Sequence, residues 1–362
     1  MDLLNLVTTA RNRVQEPVTG LVQILKILGN PRLPVLLALS KGLIEPTYRL
    51  AFLASASNTG VLRLLASRPC DLETLAERLA VGPDEKHRLS AWLDMGVKLG
   101  DLATGEGCYQ LSSLPAKFLA QPQNDAVAAA LEEVIRFHVP ALLHGPQMLR
   151  EGRRFSLDDQ DGAVIARSTR VVESFVEAAV DQNLERSLPV RLLEVGCGSG
   201  TYVRHAARLN PRLTALAIDM QKSVADQAAA NMSEWGLADQ VETRQGDLRE
   251  LDVEPQFDLI TMHNNIYYFP PDERVETLRR ARRLLAPGGK LLLTTSCQGG
   301  NAGLEALNLW FHFSDFGGPL PREDELTAQF GEAGFTDVAV TQVLPGEQFR
   351  ACTGTNARLA LN

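Results

Sequence analysis

What this chain lacks narrows it first. Cysteine is sparse, with five residues in 362, at positions 70, 108, 197, 297 and 352. No two share the spacing of a metal-ligand pair and the count is odd, so reduced thiols are the default rather than a disulfide framework or a cysteine metal site. Basic charge is in deficit: 36 Lys and Arg stand against 44 Asp and Glu, for a net charge of -8 and a pI near 5.4. A nucleic-acid partner would select a basic face, so none is expected. Long apolar runs are missing as well. The most apolar early stretch, Leu33 to Ser40, meets Lys41 and Glu45 well short of the roughly 20 residues of a membrane span. Met1 to Leu6 has no basic residue of the kind that starts a signal peptide. The expectation is a cytoplasmic protein with no membrane attachment. What is present, 45% hydrophobic and 22% charged residues, is ordinary for a globular chain. Its 362 residues exceed what one core usually supports, so two domains are expected.

The most informative stretch is Arg191-Leu-Leu-Glu-Val-Gly-Cys-Gly-Ser-Gly200. Val190 to Val195 read as a buried parallel strand. Beyond the glycines Val203, Ala206 and Ala207 recur at helical spacing, so the glycines form a strand-to-helix elbow. A Cβ there would obstruct both the tight turn and a ligand close to the backbone. The glycines at 196, 198 and 200 make GxGxG, whereas a dinucleotide site needs GxGxxG. Glu194, just ahead of them, would repel a pyrophosphate and favour a cationic ligand. Four further signals follow in order. Leu213 to Ile218 is an apolar run closing on Asp219, where an acidic residue can accept from both hydroxyls of a ribose. Gln245-Gly246-Asp247-Leu248 ends a third strand-like run, and Phe257 to Met262 is a fourth that leads into His263-Asn264-Asn265. Leu284-Leu-Ala-Pro-Gly-Gly-Lys290 joins a helix end to a fifth strand.

This series resembles class I S-adenosylmethionine (SAM)-dependent methyltransferases, with residues 191–200 standing as their motif I. The resemblance implies an α/β catalytic domain: a Rossmann-like, doubly wound sheet of seven strands, the last one antiparallel and inserted at the sheet edge. It also implies SAM as cofactor. The implied cofactor-binding residues are Glu194, Gly196, Gly198, Gly200, Asp219, Met220, Gly246, Asp247, Leu248 and Asn264, with Asp247 at the position that reads the adenine amino group.

Ahead of that domain the chain is mainly helical. Asp71 reads as the N-cap of a helix from Leu72, Pro83 opens another that runs to Leu99, and Asp101 to Ser112 reads as a hairpin wing turning at Gly105 to Gly107. This is a winged-helix pattern. The helix that would enter DNA offers Lys86, Arg88 and Lys98 against Asp84, Glu85 and Asp94, too nearly neutral for useful phosphate contacts. That balance weighs against a winged-helix regulator that only senses the cofactor. Helices and wing are similar instead to the dimerisation domain of two-domain O-methyltransferases of plant and bacterial secondary metabolism. The resemblance implies a homodimer built on residues 1–120, linker helices over 121–187, and a catalytic domain over 188–362 acting on a small-molecule acceptor. Within the linker, Arg167 to Leu184 reads as one helix that lines the acceptor pocket.

After the fourth strand the sequence departs from that family. Its members typically read Asn-Val-Leu-His-Asp-Trp, with the histidine as general base. Residues 264–269 here are Asn-Asn-Ile-Tyr-Tyr-Phe, so Tyr267 stands at the base position. A histidine near pKa 6.5 takes a proton at neutral pH, and a tyrosine near 10 does not. His263, four residues earlier, is the second candidate catalytic residue. Tyr268, Trp310, Phe311 and Phe316 are candidates for an apolar acceptor wall, because Leu304 to Phe316 follows the fifth strand where α/β sheets bind ligands. Trp310 and Phe313 read as well as core. The expected acceptor is a hydrophobic or aromatic natural-product-type molecule methylated at carbon or nitrogen, with O-methylation of a hydroxyl as the alternative. No residue stands out as a metal ligand.

Overall fold

The protein was analysed as a computed structural model that describes residues 29–30, 32–254 and 256–357. Residues 1–28, the start of the expected dimerisation domain, lie outside the described residues. The chain divides into two compact units, one holding the described residues up to Leu53 together with Leu64–Lys117, the other Ala54–Arg63 and the chain from Phe118 onward.

The first unit carries the expected helices and hairpin. Asp71 caps the helix Leu72–Arg78 by accepting from the Thr74 N–H at 2.7 Å, which satisfies a donor the helix cannot pair itself. Pro83 opens a short 3-10 turn that runs into the helix Lys86–Lys98. Strand β1 (Leu102–Gly105) pairs antiparallel with β2 (Cys108–Leu111), and Glu106 and Gly107 turn between them at positive φ. Asp101 anchors the unit. Fully buried, it accepts from the Arg49 guanidinium at 2.7 to 3.1 Å and from the Ser113 hydroxyl at 2.5 Å.

The second unit is built on a seven-stranded sheet. Its strands are β3 (Arg191–Val195), β4 (Thr214–Asp219), β5 (Val241–Gln245), β6 (Phe257–His263), β7 (Leu285–Ser296), β8 (Thr336–Gln342) and β9 (Phe349–Thr355), in the spatial order β5-β4-β3-β6-β7-β9-β8. Strands β3 to β7 run parallel, and β9 is antiparallel to both β7 and β8. The last strand is antiparallel as expected, but it does not form the edge. β9 is buried along most of its length and needs neighbours on both sides, whereas β8, largely exposed, occupies the edge. Pairing along β8 is broken by a register shift between Thr336 and Ala339, where Asp337 takes a φ of +52°.

The parallel strands read as continuous apolar runs because both of their faces are covered. Alternation along each strand sorts the side chains: Leu193, Ile218, Ile260 and Leu291 enter one hydrophobic cluster, while Leu192, Ala217, Leu259 and Leu292 enter the other. Crossover helices Thr201–Leu209, Lys222–Glu234 and Arg274–Leu284 connect the parallel strands. Residues 121–187, expected as linker helices, group with this unit. The single helix expected from Arg167 to Leu184 is interrupted. A helix over Gly162–Ser168 gives way to a 3-10 turn, Thr169–Val172, before a new helix over Glu173–Asn183. The Ser168 and Thr169 hydroxyls both bond back to the Ile165 carbonyl, at 3.1 and 3.0 Å, a local alternative to the helical ladder.

Candidate active site

β3 sits between β4 and β6, and the chain leaves it in opposite directions to reach them, so a crevice opens beyond the carboxyl ends of the parallel strands. Gly196, Gly198 and Gly200 line the start of that crevice at φ values of +68°, +54° and +80°, conformations that side chains adopt only at a cost. A Cβ at Gly196 would lie 2.7 Å from the Asn265 amide nitrogen, and one at Gly200 would lie 2.1 Å from the Met232 methyl. The freed space at Gly196 lets Asn265 Nδ2 donate to the Val195 carbonyl at 2.5 Å, pinning the chain after β6 to the chain after β3. Asp219 holds the loop from the β4 side, accepting from the N–H groups of Gly198 at 3.2 Å and Gln221 at 3.0 Å. Burial raises the Asp219 carboxyl above its ordinary range, opposed by those two bonds.

A cavity of about 130 Å³ opens at this loop. Gly196, Gly198, Asp219, Met220, Gly246, Asp247, Leu248 and Asn264, eight of the ten residues expected to bind the cofactor, line it. Glu194 and Gly200 are not on its wall. Glu194 lies beneath the loop, its Oε1 without a partner, and burial pushes its carboxyl up to about 8. Asp247 is already engaged: Arg249 holds its carboxylate at 2.7 to 3.2 Å and reaches Glu273 at 2.8 Å. Among the lining residues there is no Lys or Arg. A glycine cradle, two aspartates on the wall, and no Lys or Arg there to meet a phosphate together fit a positively charged nucleoside.

His263 also lines this cavity. Its Nδ1 lies 2.8 Å from Thr294 Oγ1, its Nε2 has no partner, and its ring meets Tyr202 edge-on at 4.9 Å. Burial lowers the imidazole to about 3, which keeps it neutral and makes it a poor proton acceptor at neutral pH.

A second cavity, of about 140 Å³, shares Gln160, Ile165, Thr169, Asn264 and Tyr268 with the first. Asn264, at this junction, holds a left-handed φ of +53°, a strain of the sort that concentrates at functional sites. Tyr267 and Phe311 line the second cavity, their rings 4.7 Å apart. Burial, reinforced by Tyr268 and Glu133, pushes the Tyr267 hydroxyl well above 10. Tyr268 donates to Gln160 Oε1 at 2.9 Å. Trp310 and Phe316 stand outside both cavities. Trp310 is 1% exposed and stacks on Phe155 at 5.7 Å, so it is core, and Phe316 backs the Tyr268 ring at 5.8 Å. Within the expected linker helix, lining falls to Ser168 and to the turn that follows it, through Thr169, Val171 and Val172. The sequence reading missed Glu133, Gln160, Ile165 and Asn265. One signal was available for this region: Asp161-Gly162 is a helix start, and Gly162 is where a Cβ would strike Gln221 Oε1 at 2.0 Å on the cavity rim.

A family profile described as a methyltransferase domain matches residues 193–291, from β3 into β7. The chain is a SAM-dependent methyltransferase. Demethylspheroidene O-methyltransferase of Rhodobacter capsulatus is 25% identical over 311 residues, covering 78% of this chain and 73% of the relative. Among solved structures, PigF with SAH superposes at a TM-score of 0.69 with 17% identity, over 88% of this chain and 98% of that one. Human N-acetylserotonin methyltransferase in complex with SAM does so at 0.65 with 18% identity, over 91% and 98%. The fold is that of the O-methyltransferase-like SAM-dependent enzymes.

The buried Glu194 carboxyl makes stability depend on pH. Folded, it keeps its proton up to about pH 8, against an ordinary value of 4.5 for the free side chain. The folded state therefore binds the extra proton between those values, and the group's contribution is lost as pH rises through the window. Urea unfolding of the ligand-free protein should show stability falling across this range by an amount on the order of a few kcal/mol. Glu194→Gln should flatten that slope. Equal slopes in the two proteins would mean that Glu194 is ionised in the fold.

Proposed function

We propose that this SAM-dependent methyltransferase acts on a small hydrophobic or aromatic acceptor and delivers the methyl group to carbon or nitrogen. The observation that carries the reading is Tyr267, on the wall of the second cavity with a hydroxyl that burial keeps protonated. When bound, SAM supplies a methyl group made electrophilic by its sulfonium charge. Asp219 would accept from the ribose hydroxyls, and the glycine loop would admit the ligand close to the backbone. Asn264 and Tyr268, common to both cavities, set donor and acceptor side by side, and alignment in a dry site supplies much of the rate. Neither Tyr267 nor the low-pKa His263 is a competent base, so the acceptor is one that loses its proton easily: an electron-rich carbon, an amine or an already acidic hydroxyl. Tyr267 can still orient it by donating a hydrogen bond, and Tyr268 and Phe311 supply an apolar wall. O-methylation is the second reading, supported by the O-methyltransferase name of the Rhodobacter relative.

A cytoplasmic homodimer that binds neither membrane nor nucleic acid is part of the same proposal. In the first unit Val35, Leu36, Leu43 and Tyr48 are between 55% and 62% exposed, apolar surface that a partner copy would cover. The net charge of -8 supports the absence of a polyanionic partner. Among the described residues no single helix is long and apolar enough to cross a membrane.

Asp219→Ala should weaken SAM binding by about 1.5–3 kcal/mol, the range for hydrogen bonds involving a charged group; unchanged affinity by calorimetry would remove Asp219 from the site. Tyr267→Phe should keep turnover within about tenfold of wild type, measured as methyl transfer from labelled SAM. Abolished turnover with SAM affinity intact and a lost basic limb in the pH–rate profile would make Tyr267 the base and restore O-methylation. Light scattering should return a particle of twice 39.6 kDa, and a monomer at micromolar concentration would rule the dimer out.

A further inference from the structure

Glu133 is the one charged side chain among the residues that line the second cavity, and the mechanism above leaves it unused. It ends the helix Asp125–Glu133, where a π-turn over Val134–His138 takes over before the helix Val139–Glu151. Pro140 accounts for the change, because it offers no N–H to the carbonyl four residues back and the ladder re-registers around it. Two adjacent carboxylates part company here. Glu132 turns to Asn58 at 2.7 Å, Arg136 at 2.8 Å and Arg167 at 3.8 Å. Glu133 is left on the cavity wall, accepting no hydrogen bond among the described residues. Its nearest ionisable neighbour is His138 Nε2 at 3.5 Å, and both ring nitrogens of that buried histidine are themselves unpartnered.

The surroundings do not offset this charge. Only 16% of the Glu133 side chain is exposed, and a carboxylate so enclosed is costly without a counter-charge. Three of the nearby hydroxyls are spent, Ser168 and Thr169 donating to the Ile165 carbonyl and Tyr268 to Gln160, and those of Tyr267 and Ser296 carry no charge to offset the carboxylate. What remains is aromatic. The rings of Tyr267, Tyr268 and Phe311 meet at centroid distances of 4.7 to 5.5 Å, forming part of a box beside the carboxylate. An anion next to aromatic faces is the chemistry that receives a positively charged nitrogen.

We propose that Glu133 recognises the acceptor, and that the acceptor is an aromatic molecule carrying a protonated amine. The inference rests on the second cavity being the acceptor side of the SAM site, and it names the substrate class of that side. The ammonium is held at Glu133 while the ring lies among Tyr267, Tyr268 and Phe311. A protonated nitrogen has no lone pair to attack a methyl group, so the amine is a handle and the methylated atom lies elsewhere on the molecule.

Tryptamine and indole-3-propionate share a ring and differ in side-chain charge, which makes them matched probes for calorimetry on the full chain saturated with SAH. Tryptamine should bind about tenfold more tightly or better. Glu133→Gln should bring the two within about twofold of each other, and Glu133→Asp, which keeps the charge, should retain the preference, with SAH affinity unchanged in both variants. Failure of the wild type to bind SAH would overturn the reading of the cofactor cavity, and this inference with it. With SAH bound, equal affinity for the two probes, tighter binding of indole-3-propionate, binding of neither, or a preference that survives Glu133→Gln would overturn the assignment of Glu133 alone.

Discussion

Three glycines held in left-handed conformations set the terms for everything at the carboxyl end of the sheet. Because Gly196 has no Cβ, Asn265 can reach the Val195 carbonyl, and the loops after β3 and β6 become one piece. Because Gly198 presents its N–H to Asp219, the end of β4 is tied to the same piece. A side chain at 196 or 200 would bring backbone strain and steric conflict together, so the geometry of the cavity at this loop rests on residues that contribute no functional groups of their own.

The chemistry of the site follows from withheld solvent. Glu194 and His263 are both fully buried, each with an unpartnered polar atom, and burial pushes them in opposite pKa directions toward the same result, a neutral side chain. Tyr267 is held neutral by the same cause. A pocket surrounded by such groups has little capacity to move protons and much capacity to strengthen the interactions of a charged ligand. That balance suits a reaction in which the leaving charge is already on the donor and alignment is the main task of the protein.

The catalytic sheet was legible in the sequence because parallel strands covered on both faces are continuous apolar runs, and because their ends carry glycine or acidic residues in a fixed order. The position of β9 was not legible: order within a sheet depends on which exposed face tolerates the edge, and no local pattern encodes it. Trp310 and Phe311 show the limit at finer scale. Neighbours on one helix point about 100° apart, so one faces the core and the other a cavity, while their sequence context is the same. Arg167 to Leu184 reads as one helix, and only the back-bonded hydroxyls of Ser168 and Thr169 reveal that it tightens into a turn, whose Thr169 reaches both cavities. Pro140 was visible, but its effect on Glu133, seven residues upstream, passes through a change of helical register that periodicity alone does not announce.

The outer flank of the sheet carries a quieter consequence. β8 presents open backbone groups to solvent, the usual template for unwanted strand addition between molecules. Its ladder is broken near the start, and Asp337 there both bends the chain out of line and places a negative charge beside the open donors and acceptors. At the opposite flank β5 is five residues long with charged Glu242 and Arg244 along it. Both rims of the sheet are thus poor templates for fibre-like growth through shared main-chain hydrogen bonds.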